Sequence, residues 1–171
     1  IIRDILGGEM IGFRKRDKTI DEKIDKKQAE IIRTATPQNP AILEGRLAGV
    51  IAREEKKKAL INNKTLPIIS ILFIAKSEVR YDRILKRQKE KDPTLTLKEI
   101  KKLSIEREQG DLKTWRKHHR QLINIDPFNP INKDHQGNPI YDVIINTNNK
   151  TVVQVEAEIY KYLVKNKFVV K

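Results

Sequence analysis

The chain has 171 residues, enough for one domain or one domain with a small appendage. It has no cysteine, which excludes disulfides and thiolate metal sites. Thirty-six Lys and Arg against 23 Asp and Glu give a net charge of +13, a balance that suits an anionic ligand, nucleotide phosphates ahead of a polynucleotide, or well-solvated basic helix faces.

Ile1-Ile2-Arg3-Asp4-Ile5-Leu6 reads as the middle of an amphipathic helix stopped by Gly7-Gly8, and a chain that opens inside a helix is expected to be cut from something longer. Thr19 or Asp21 can cap a helix to about Arg33, with its acids early, where the helix dipole favours them. Pro37 and Pro40 flank a turn. Ala41–Glu44 then reads as a short strand that delivers Arg46 to its carboxyl edge, where open α/β sheets bind ligands. Residues 53–64 are expected to be an exposed helix and loop. Pro67 introduces 68–75, an apolar run whose continuity predicts a strand buried on both faces of a parallel sheet. No apolar run is long enough to cross a bilayer. A soluble, cytoplasmic protein without membrane partners is expected.

A helix is predicted from about Glu78 to Lys91, broken by Asp92-Pro93. Thr96 and Glu99 form a capping box for a second helix reaching about Gln121, with Gly110 softening its middle. Residues 124–140 are rich in turn formers and predict a long loop. Val143-Ile144-Ile145 is a third buried strand. Thr151 and Gln154 cap a final helix with Val152, Val155, Ile159 and Leu163 on one face. Strands alternating with helices predict an α/β fold with a parallel sheet and flanking helices.

Residues 80–120 hold fourteen Lys and Arg and seven Asp and Glu, a local excess of +7. Arg80, Arg83 and Arg87 stand at i, i+3 and i+7 and share one helix stripe. Arg107 and Asp111 lie one turn apart on the next helix. Cations concentrated in this way suit phosphoryl transfer, which asks for charge around a moving phosphoryl group and for exclusion of water. The same charges also fit a solvated helix pair laced by Arg–Glu pairs. His118, His119 and His135 are too few and too unevenly spaced for a metal site. Trp115 is expected to pack its helix on the core.

Four segments together resemble the cytidylate kinases, P-loop nucleoside monophosphate kinases, and the short archaeal type most closely. They are Glu44-Gly45-Arg46-Leu47-Ala48-Gly49, Ala75–Arg83, Ile105–Asp111 and Tyr141–Thr147, in that order. The likeness runs from Ile1 to about Leu163. It implies a P-loop kinase-like parallel sheet with a helical lid. Within one domain over 1–171, it assigns substrate-binding helices to 1–40, core strands to 41–77, a lid to 78–123, and a last strand and helix to 141–171.

The resemblance also implies roles. Arg3 and Arg46 grip the monophosphate, and Asp111 lies at the sugar. Arg107, with Arg80 and Arg83, serves the transferring phosphate. Asn146 and Thr147 pass the ATP adenine, and Asp142 is structural. ATP and Mg²⁺ are the implied cofactors, CMP or dCMP the substrate, and the protein is expected to be a monomer. Three departures stand out. Leu47 occupies the place where bacterial members carry Asp, so base choice is not readable there. Thr114 replaces a lid arginine. No Gly-x-x-x-x-Gly-Lys-[Ser/Thr] occurs, so the ATP-holding loop is expected upstream of Ile1 and the chain by itself is expected to be inactive. The alternative is a non-catalytic nucleotide- or RNA-binding protein of kinase-like fold.

Overall fold

A computed structural model describes residues 18–118, 126, 129–131, 133 and 137–168. In chain order the elements are α1 (Lys18–Thr34), α2 (Ala48–Ile61), β1 (Ile71–Ile74), α3 (Ser77–Lys89), α4 (Leu97–His118), β2 (Val143–Asn146) and α5 (Val152–Lys165). The chain divides into two compact units. One comprises 1–71 and 131–143, the other 72–130 and 144–171.

In the first unit α1 packs on α2. Ile32, Ile51 and Ala52 form the centre of the contact, with Ala29, Leu43, Leu47, Leu66 and Ile68 against it. The expectation of an exposed helix over 53–64 is corrected here. The helix begins at Ala48, and Ala48, Ile51, Ala52, Glu55 and Ala59 recur at helical spacing on a buried face. Glu55 is 2% exposed, yet it accepts hydrogen bonds from Arg33 Nη1 (3.1 Å) and Lys58 Nζ (2.7 Å). Two partners make that burial tolerable, since an ionised carboxylate inside a protein must be paired.

Residues 41–44 differ from the expected strand. Their backbone is not part of a ladder, Ile42 is 98% exposed, and only Leu43 reaches the helix contact. A strand exists through hydrogen bonds to a neighbour, and a short apolar run between Pro40 and Gly45 says nothing about who that neighbour is. The sheet therefore has two strands among the described residues, not three. Those strands run parallel: Asp142 and Val143 N–H donate to Ser70 C=O, and Thr147 N–H donates to Ile74 C=O. Burial on both faces is not what the strands show. Ile145 is fully buried, but Phe73 is 52% and Ile144 41% exposed.

The start of the strand pair is pinned by Asp142. Its carboxylate accepts from Ser70 N–H (2.7 Å), Ser70 Oγ (2.8 Å) and Lys56 Nζ (3.0 Å). Partial burial pushes this carboxyl up, but the Ser70 backbone donor, the Lys56 ammonium and the Ser70 hydroxyl outweigh it and hold it below the usual range.

In the second unit α3 packs on α4. Both capping boxes read from the sequence are present. Thr96 N–H donates to the Glu99 carboxylate (2.8 Å) and Glu99 N–H to Thr96 Oγ1 (3.3 Å); the Thr96 donors depress the Glu99 carboxyl. Thr151 and Gln154 exchange the same pair of bonds at α5. α4 continues through Gly110 without a break. On α5, Val155, Ile159 and Leu163 are half-buried, whereas Val152 is 83% exposed. Among the described residues no helix is long and apolar enough to cross a membrane.

Candidate functional site

Arg46 lies in the turn Gly45-Arg46-Leu47 that leads into α2. Leu47 is the N-cap and its side chain makes no capping bond, and the first turn of α2 carries no acid. Arg46 therefore stands beside the N-terminus of α2, the positive end of the helix, where Ala48 and Val50 N–H donate to the Gly45 and Leu47 carbonyls. The two glycines around it have different physical reasons. A Cβ on Gly49 would fall 2.3 Å from Tyr141 Cε1, so that glycine lets α2 lie against a buried ring. A Cβ on Gly45 would meet Gln28 Nε2 at 3.3 Å, so that one leaves room for an amide.

The remaining described candidates lie in the second unit. Arg83, on α3, donates from Nη1 to Thr147 Oγ1 (3.0 Å) and from Nη2 to Thr147 C=O (2.6 Å). Thr147 Oγ1 in turn donates to Ile74 C=O (3.1 Å). Asn146 Oδ1 accepts from Asn148 N–H (3.0 Å), and Asn148 Oδ1 accepts from Lys76 N–H (2.7 Å). Arg83, Asn146 and Thr147 are thus gathered at the carboxyl edge of the two strands, the edge at which parallel sheets bind ligands.

Arg80 donates to Glu108 across the α3–α4 contact (2.7 Å), while its buried Nε has no partner. With the two side chains 40% and 31% exposed, solvent screens this pair. It is the kind of Arg–Glu link a helix pair makes, so Arg80 and Arg83 take different partners although both occupy one stripe. Arg107 Nε stands 4.0 Å from Asp111 Oδ2, one helical turn away. Arg107 is more than half exposed and Asp111 mostly covered.

Arg3 lies outside the described residues, as do the opening helix, residues 119–123 of the expected lid, His119, Arg120 and His135. Arg46 belongs to the first unit, and Arg80, Arg83, Arg107, Asp111, Asn146 and Thr147 to the second. Among the described residues no group of three or more His, Asp or Glu could hold a metal ion.

Two residues carry more than their sequence suggested. Gln28 sits midway between Ile24 and Ile32, each four positions away, on the buried stripe of α1. Glu55 occupies the equivalent stripe of α2. A polar residue in register with a buried apolar stripe is the signal that could have singled out both.

Over 140 residues the chain is 34% identical to the cytidylate kinase of Methanocaldococcus jannaschii, covering 81% of this chain and 62% of that protein. The chain thus spans less than two thirds of the relative's length. No family model matches it, and no solved structure does.

Proposed function

We propose that this chain supplies the monophosphate site and the basic helical lid of a cytidylate kinase-type nucleoside monophosphate kinase, working as a cytoplasmic monomer. The likeness to a cytidylate kinase over 140 residues is the observation that carries this reading. The turn at the start of α2 supports it, because it sets Arg46 beside a helix N-terminus.

In the proposed reaction an oxygen of the CMP or dCMP phosphate attacks the γ-phosphorus of ATP. The new P–O bond forms as the bond to the ADP oxygen breaks. A phosphate dianion needs no base, so the work falls to positioning and charge. Arg46, joined by Arg3, fixes the acceptor phosphate; a guanidinium suits this through its paired donors and permanent charge. Arg107 neutralises the transferring group, with Arg80 and Arg83 adding positive field. Asp111 takes a sugar hydroxyl, and Asn146 and Thr147 border the adenine. Magnesium, when bound with the nucleotide, would supply positive charge at the phosphates.

The sequence contains no phosphate-cradling Gly-x-x-x-x-Gly-Lys-[Ser/Thr] loop, so the 171 residues by themselves are proposed to bind CMP without turning it over. A coupled ADP-release assay on the complete gene product, with CMP, dCMP, UMP and AMP in turn, tests the proposal. Turnover with CMP or dCMP is expected; none with any of the four would refute it. The excess of +7 over residues 80–120 favours a second reading, a non-catalytic protein that binds nucleotide or RNA. That reading expects steeply salt-dependent RNA binding and no ADP release.

A further inference from the structure

Gln28 has no part in the mechanism above, yet it is the most unusual polar residue of the first unit. It is 7% exposed, and its Oε1 has no hydrogen-bond partner. Buried side-chain amides are nearly always paired, because an acceptor withdrawn from water without a donor costs more than a made bond returns. This one is also placed with care. Its Nε2 lies 3.3 Å from where a Cβ of Gly45 would stand, so any larger residue at 45 would press on the amide. The next residue is Arg46, and the next but one caps α2. The side-chain amide therefore packs against the turn through Nε2, while its Oε1 is buried without a donor, next to the turn that, on the reading above, holds a nucleoside monophosphate.

The chemistry narrows what Gln28 can receive. A phosphate dianion offers no proton, so Oε1 is not a phosphate contact. The nucleoside half offers donors of two kinds, a ribose hydroxyl and the 4-amino group of cytosine. Uracil presents an acceptor at that 4-position and dCMP lacks the 2′-hydroxyl.

We propose that Gln28 is a specificity-determining residue of the monophosphate site, its Oε1 accepting a hydrogen bond from a hydroxyl or amino donor of the bound nucleoside. The inference rests on the nucleoside monophosphate reading. It also requires the Gly45-Arg46 turn to shift as the ligand enters, since Oε1 is closed to water in the unliganded protein. Gly45 has no side chain to lock that turn.

The test is calorimetric titration of the chain with CMP, dCMP, UMP and inorganic phosphate, alongside thermal melts, for the wild type, Gln28→Leu and Gln28→Met. Both variants replace a solitary buried amide by an apolar group of similar size. They are expected to melt at or above the wild-type temperature and to bind inorganic phosphate unchanged. The wild-type preference for CMP should fall about tenfold, the scale expected when a site loses the polar group that reads a donor. Loss of the CMP-over-UMP preference identifies the amino group, and loss of the CMP-over-dCMP preference the ribose hydroxyl. Unchanged preferences in a folded variant overturn the inference. So does an equal loss for all four ligands with a lowered melting temperature, which would make the amide a brace for the turn. Wild-type protein that binds none of the nucleotides overturns the nucleotide reading and this inference with it, whereas CMP binding with unaltered preferences overturns this inference alone.

Discussion

Replacing Gly49 by alanine tests how the Gly-Arg turn is seated. In the first turn of α2 alanine is the better helix former, by about 0.5–1 kcal/mol at most. Against that, the new methyl would lie 2.3 Å from Tyr141 Cε1, 2.9 Å from Cδ1 and 3.3 Å from Cζ. Carbon atoms in contact sit about 3.5–4.0 Å apart, so the nearest pair overlaps by more than 1 Å. Tyr141 is 7% exposed and its ring moves as a rigid plate, so either the ring or the helix must shift. Overpacking of this kind costs about 1–3 kcal/mol. The packing term wins, leaving a net loss of about 1–2 kcal/mol. For a chain of 171 residues this lowers the melting temperature by about 2–8 °C. Gly110→Ala is the internal control, because nothing lies within 4 Å of its Cβ position inside α4; it should stabilise by about 0.5–1 kcal/mol. Circular-dichroism melts of the two variants should move in opposite directions. In a Tyr141→Leu background the Gly49→Ala penalty should shrink, as coupled neighbours require. A Gly49→Ala protein that melts above the wild type would refute the close approach of α2 to Tyr141.

Three further outcomes follow from the contacts. Asp142 has a depressed carboxyl, so its contribution is complete above the ordinary aspartate value near 3.8 and is lost as pH falls through its lower folded value; Asp142→Asn should flatten this acid limb in urea titrations at pH 2–5, and an unchanged limb would remove Asp142 as its source. Arg83→Ala severs both bonds to Thr147 and should raise KM for ATP several-fold while leaving KM for CMP unchanged, as initial-rate kinetics would register. Glu55→Gln leaves an acceptor for only one of Arg33 and Lys58 and sets a buried amide N–H2 against the other, and should destabilise by about 1–3 kcal/mol in chemical denaturation.

Local features of this chain were legible because their causes are local. Thr96 with Glu99 and Thr151 with Gln154 cap the helices they announce, for a capping box needs only four residues. Helices α1, α3 and α4 begin within a few residues of where their caps and periodicity place them. Pairing was not legible in the same way. Residues 41–43 form an apolar run as 71–74 do, yet only the latter find a ladder, because a partner strand is a property of the whole fold. Helical spacing places Arg80, Arg83 and Arg87 on one stripe but does not name their partners. The structure gives Arg80 to Glu108 and Arg83 to Thr147, partners 28 and 64 residues away that helical spacing cannot reveal. Asp142, expected to be structural, pairs not locally but with Ser70 and Lys56 from distant segments. Gln28 went unread for a related reason: its spacing marks it as buried, but only coordinates show that its Oε1 lacks a donor and that Gly45 stands beside it.

The most direct measurement is CMP-dependent ADP formation by the complete gene product with ATP and Mg²⁺, comparing wild type with Arg46→Ala. The account predicts turnover in the wild type and a fall of about 10²-fold or more in the variant, the usual consequence of removing a charge-stabilising group from a phosphoryl-transfer site. Equal turnover in the two proteins, or no CMP-dependent ADP formation in either, would contradict it.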